Sequence, residues 1–255
     1  MADTVVYLYA VTDADAPDPA VPAGVDGAPV RRVVAGPLAA VVSSVDAVRF
    51  GEEALQRSLE DLRWLEATAR AHHAVVGAVA ENGPVAPVRL ATVYLDDERV
   101  RALLDERAAA FTAALDRVRG RVEWGVKGFA TPSAAAAPAE PEPERGGGGP
   151  GASYLKRRLA QRDRATRGQE AAFAAAEEAH RALAAAALAH RTYKPQDRRL
   201  TGRAEEMVLN AAYLVDADAG DALRQVVEER STGAVALELT GPWAPYSFAT
   251  LEEPS

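Results

Sequence analysis

The sequence predicts an α+β protein of two domains, an N-terminal mixed sheet with helices followed by a C-terminal ferredoxin-like domain. Three observations lead there. Short β-branched and aromatic runs alternate with longer segments of helical period in both halves. A Pro- and Gly-dense block, 131–151, lies inside the second half. The predicted elements of that half run strand, helix, strand, strand, helix, strand, which is the split βαβ order. Residues 1–119 are assigned to the first domain and 120–242 to the second, leaving 243–255 as an aromatic tail.

The first half opens on Val5-Val6-Tyr7-Leu8-Tyr9-Ala10-Val11, a nearly continuous apolar run suited to a central strand. Residues 12–29 carry Pro17, Pro19, Pro22, Gly24 and Gly27 and read as a loop. Runs 30–35 and 38–45 flank Gly36-Pro37, which predicts a hairpin or tight turn. Leu55, Leu59, Leu62 and Leu65 step at helical spacing, so 52–80 reads as helix, broken at most once. Asn82-Gly83-Pro84 stops it. A strand over 85–94, with Pro87 marking an edge or irregular start, and a helix over 98–118 complete the domain. Two helices on one face of an open sheet are the simplest closure.

Val122, Trp124 and Val126 share one parity of the next strand, with Trp124 as its core anchor and Lys127 on the opposite face. The 131–151 block contains five prolines and the run Gly146–Gly149, too little apolar surface to offset ordering, and is expected to be a flexible surface loop. A long helix over 153–189 follows, with Gly168 as its weak point. Its large apolar residues are few, so part of it is expected to overhang its own domain. Its first turns hold Tyr154, Leu155, Lys156, Arg157, Arg158, Arg162, Arg164 and Arg167, an apolar and basic surface interrupted by Asp163. His190 to Tyr193 leaves the helix as a further strand candidate, interrupted by Pro195; residues 206–215 form a core strand, 222–230 a short helix and 234–239 the last strand. Gly241-Pro242 ends that strand. Trp243, Tyr246 and Phe248 then fall within six residues of a chain only 6% aromatic, so the tail is expected to dock rather than fray.

Composition narrows the chemistry. The 255 residues are 48% hydrophobic and 26% charged, ordinary for a folded soluble chain. A net charge of -8 disfavours general attraction to nucleic acid or an anionic membrane. With no cysteine, disulfides and thiolate chemistry are excluded. The start of the chain has no basic leader, and a cytoplasmic protein is the default. Neither a Gly-x-Gly-x-x-Gly nor a Walker-type phosphate loop is present, and no Gly-x-Ser-x-Gly elbow occurs. His72 and His73 are adjacent on a helix and point about 100° apart, so they do not converge on one metal. His180 and His190 stand ten residues apart at the end of the long predicted helix, too far to share one. The residues therefore point to no catalytic group, no metal and no cofactor.

Several segments together resemble the gas vesicle protein F/L family. They are Tyr7-Leu8-Tyr9, Trp64-Leu65-Glu66 with Ala69-Arg70-Ala71-His72, the strand from Pro87 to Tyr94, Glu123-Trp124-Gly125-Val126-Lys127, Tyr154-Leu155-Lys156-Arg157-Arg158, Asn210 to Val215, and Leu239 to Phe248. They span nearly the full length in the family's order, and the last is the most specific. Two departures stand out. Arg89-Leu90-Ala91-Thr92 replaces the family's Arg-Phe-Gly-Thr, and Trp243-Ala244-Pro245 lacks a second proline.

The resemblance implies a non-enzymatic accessory protein of gas vesicle assembly, with two α+β domains, the second a modified ferredoxin-like fold. It implies a cytoplasmic or vesicle location and, as partners, the small hydrophobic shell protein and other vesicle accessory proteins, with no nucleic acid and no lipid membrane. The expected partner-binding residues are Tyr154, Leu155, Arg157 and Arg158 at the start of the long helix, and Trp243, Tyr246 and Phe248 in the tail. The competing expectation is an enzyme binding a small ligand on the ferredoxin-like domain.

Overall fold

The computed structural model describes residues 4–18, 20, 23–58, 60–131, 150–198, 202–231 and 233–249, with only the backbone of 53, 150–155 and 157. The predicted 131–151 loop thus lies almost wholly outside the described residues. The chain divides into two compact units. One comprises 1–123 together with 242–255, and the other 124–241. No helix among the described residues is long and apolar enough to cross a membrane.

The first unit is built on β1 (Thr4–Asp13), whose side chains are buried on both faces from Val5 to Thr12. The strand order is β2 (Val30–Ala35), β3 (Leu38–Asp46), β1, β4 (Val85–Pro87), with β5 (Val93–Tyr94) also paired to β1. Gly36, at φ 55°, makes the β2–β3 turn. Every pairing in this sheet among the described residues is antiparallel, which corrects the expected mixed sheet. The reason is the returning helix. After β3 the chain passes α1 (Ala47–Phe50) and α2 (Glu52–Ser58) into α3 (Leu62–Ala80). Nineteen helical residues rise about 28 Å, nearly the length of β1, so the chain re-enters the sheet beside the end of β1 and runs back along it. Asp46 and Asp61 cap α1 and α3 by accepting from Val48 N–H and from Arg63 and Trp64 N–H.

Helices cover both faces of this sheet, not one. Val5, Tyr7 and Tyr9 pack with Phe50, Leu55, Val75, Val76 and Val79. Val6 and Leu8 alternate to the other face and are equally buried. There α4 (Asp97–Glu106) contacts β2 and β3, and α5 (Ala108–Val118) contacts β1, β3 and β4. The expected single helix over 98–118 is divided at Arg107, whose φ of -110° is not helical. The expected 85–94 strand is also divided. Val88 N–H bonds Tyr9 O and Leu8 N–H bonds Thr92 O, while Ala91 between them takes a left-handed φ of 62° and leaves the ladder.

In the second unit, β6 (Arg121–Ala130), β7 (Ala189–Thr192), β8 (Met207–Asp216) and β9 (Val235–Trp243) form one sheet in the order β7-β8-β6-β9. Helix α6 (Pro150–Ala186) runs unbroken through Gly168, and α7 (Gly220–Arg230) packs beside it. Ala172, Ala176, Ala179 and Leu183 form the buried stripe of α6. Trp124 is buried as expected, its ring against Gly220 at the start of α7.

Candidate interaction surfaces

The aromatic tail belongs to the first unit. Beyond β9 it turns into the short helix α8 (Tyr246–Ala249), which packs on α5 and β4. Phe248 is 8% exposed. Its carbonyl accepts from Arg117 Nη1 at 3.2 Å. The Glu123 carboxylate accepts from Ser247 N–H at 2.7 Å and from Ser247 Oγ at 2.6 Å. Tyr246 packs edge-on against His73, with ring centroids 5.0 Å apart. Of the three expected tail residues, Tyr246 and Phe248 are thus held inside the first unit, whereas Trp243 is 56% exposed.

Beneath Tyr246 lies a buried polar network. Tyr7 Oη accepts from Ala91 N–H at 3.0 Å and is hydrogen-bonded to His72 Nδ1 at 3.1 Å. Tyr9 Oη accepts from Val25 N–H and donates to Ser43 Oγ, which donates to Pro29 O. Burial, then the neighbouring His73, pulls the His72 pKa down to about 4, so the ring is neutral and can accept. Burial pushes the Tyr7 and Tyr246 hydroxyls above their ordinary range. The tyrosines stay phenols and His72 stays neutral, and the network ties the sheet to α3.

The second surface is the first half of α6. From 156 to 171 every described side chain is exposed apart from the half-buried Gly168, and burial begins at Ala172. Leu159 is 60% exposed and Phe173 42%. Fourteen residues apart, they lie within about 40° on the helix. The same stretch carries Lys156, Arg158, Arg162, Arg164 and Arg167, with Asp163 and Glu170 as its acids. Arg158, Gln161, Arg162 and Ala165 share one side of the helix, with Leu159 beside them. The side chains of Tyr154, Leu155 and Arg157 lie outside the described residues.

A third arrangement was hidden from sequence reading. Helix α6 ends at Ala186, not at 189, and the chain folds back so that His190 stands on β7. Its ring lies 5.0 Å from that of His180, whose Nδ1 is 2.7 Å from Tyr213 Oη. The ten-residue separation is therefore no measure of their distance in space. No cluster of three or more potential metal ligands occurs among the described residues.

The model of the gas vesicle synthesis protein GvpL/GvpF family matches residues 5–250. The chain belongs to that family. It is 42% identical over 254 residues to gas vesicle protein L of Streptomyces sp. (strain CB03234), covering 98% of this chain and 95% of that protein. It is 27% identical over 228 residues to gas vesicle protein F of the same organism, covering 86% and 87%. The fold is that of two crystal structures of gas vesicle protein GvpF. The one from Anabaena sp. PCC7120 gives a TM-score of 0.68 at 18% identity, over 98% of both chains. The one from Microcystis aeruginosa gives 0.66 at 20% identity, over 97% of this chain and 99% of that one. As a GvpL/GvpF family member the chain has an accessory role in gas vesicle assembly.

Proposed function

We propose that this protein holds unassembled gas vesicle shell subunits during nucleation or growth of the shell, and does so through the exposed half of α6. The observation that carries the reading is the exposure of Leu159 and Phe173 among arginines on a helix whose described side chains are buried only from Ala172 onward. A very apolar subunit needs cover before assembly. Two exposed apolar side chains about 21 Å apart on a charged helix face offer separate points of reversible cover, with the charges setting orientation and keeping the free protein soluble. Tyr154, Leu155, Arg157 and Arg158, nearer the helix start in sequence, are proposed as further contacts with the shell subunit. Trp243 is proposed as a separate contact, while Tyr246 and Phe248 serve by holding the tail.

The second unit is proposed to be a ferredoxin-like domain. Support comes from its element order and from the sheet order β7-β8-β6-β9, with the two crossing helices packed together. The domains proposed are 1–119 and 120–242, with the aromatic tail 243–255. Other vesicle accessory proteins are proposed as further partners, and the working location is the gas vesicle in the cytoplasm. The family membership supports these readings. Co-expression of the shell protein with and without this chain tests the function. Soluble, co-purifying shell protein is expected only with it. Shell protein equally soluble alone, or never recovered with the chain, contradicts the reading.

A further inference from the structure

We propose that His180 and His190 form a two-imidazole site for a divalent transition metal of the zinc, nickel or copper class. The register places them. His190 pairs with Tyr213 across the antiparallel β7–β8 ladder, so their side chains share one face of the sheet. Helix α6 contacts β8 and brings His180 to that face, with Nδ1 2.7 Å from Tyr213 Oη.

The spacing suits chelation. An imidazole nitrogen about 2.1 Å from zinc puts its ring centroid about 3.2 Å away, so two rings at a tetrahedral angle have centroids about 5 Å apart. The observed separation is 5.0 Å. Tyr213 supplies what a metal-binding histidine needs behind it. With Nδ1–H donating to the tyrosine oxygen, Nε2 carries the lone pair and the ring is held in one orientation. Tyr213 acts as a positioning group. His190 is exposed, giving the ion a way in. No third His, Cys, Asp or Glu joins the pair among the described residues, and the remaining coordination positions are left to water or other ligands. A bound ion would tie the end of α6 to β7.

The test is titration of the full chain with ZnCl2, read by calorimetry and by the imidazole NMR signals of all four histidines. The expected result is one ion per chain, with His180 and His190 shifting together and His72 and His73 unmoved. His190→Gln, an exposed change, should fold normally and weaken binding at least tenfold. Tyr213→Phe should weaken it about tenfold with both histidines still present, as outer partners of metal ligands do. His73→Gln should leave it unchanged. Zinc binding unaffected by His190→Gln, a shift of one histidine alone, or no saturable binding would overturn the proposal.

Discussion

Glu123 receives both the backbone N–H and the hydroxyl of Ser247, at 2.7 and 2.6 Å, across 124 positions of sequence. A buried carboxylate meeting two donors is a clamp, and it ties the tail to the end of the first unit's own chain. Glu123→Gln keeps the size but can accept only through one oxygen. It should cost about 1–2 kcal/mol. Hydrogen exchange checks the location: the Ser247 amide should exchange at least tenfold faster, with the β1 amides changed no more than global stability requires.

The tail's aromatics should separate by role. Phe248→Ala should destabilise the protein by about 3 kcal/mol, because a nearly buried ring is lost from beside α5. Trp243→Ala removes a ring that is 56% exposed and should cost less than about 1 kcal/mol. Chemical denaturation of both variants measures the contrast.

His72 should give stability a pH dependence. Its pKa is about 4 in the fold, against an ordinary value of 6.5, so the unfolded chain binds the extra proton. The contribution is complete above pH 6.5 and is lost as pH falls toward 4. Between about pH 7.5 and 5 it amounts to about 2 kcal/mol. Urea unfolding at the two pH values should show His72→Gln less sensitive than the parent by about that amount, whatever its absolute stability.

Ala91 occupies a backbone conformation that favours glycine, at φ 62°. It is also where the chain departs from the Arg-Phe-Gly-Thr pattern expected of its family. Ala91→Gly should relieve about 1 kcal/mol of left-handed strain, partly offset by a freer unfolded chain. A net gain of about 0.5 kcal/mol, measured by denaturation, is expected.

What could be read in advance was what local chemistry decides. Gly36-Pro37 turned a hairpin, Asn82-Gly83-Pro84 ended α3, and Trp124 anchored a strand. The tail's docking was legible from its three aromatics, but not its site, because the Glu123 partner is remote in sequence. The breaks at Arg107 and Ala91 were hidden because neither residue type signals one. Ala91 leaves the ladder because Tyr7, on another strand, takes its N–H. The His180–His190 approach was missed because alanines continue the helical pattern past Ala186, while Leu188 N–H is already bonded to Leu214 O on β8. The exposure of early α6 was legible, since alanine and arginine leave little to bury.

The most direct measurement is recovery of co-expressed shell protein with tagged Arg158→Glu/Arg162→Glu chain, beside the parent and Trp243→Ala. Both charged sites are exposed, and chemical denaturation checks that the double variant is as stable as the parent. The account predicts at least a fivefold fall in recovered shell protein for the double variant. Recovery equal to the parent's, from an equally stable protein, would contradict the assignment of α6 as the binding surface.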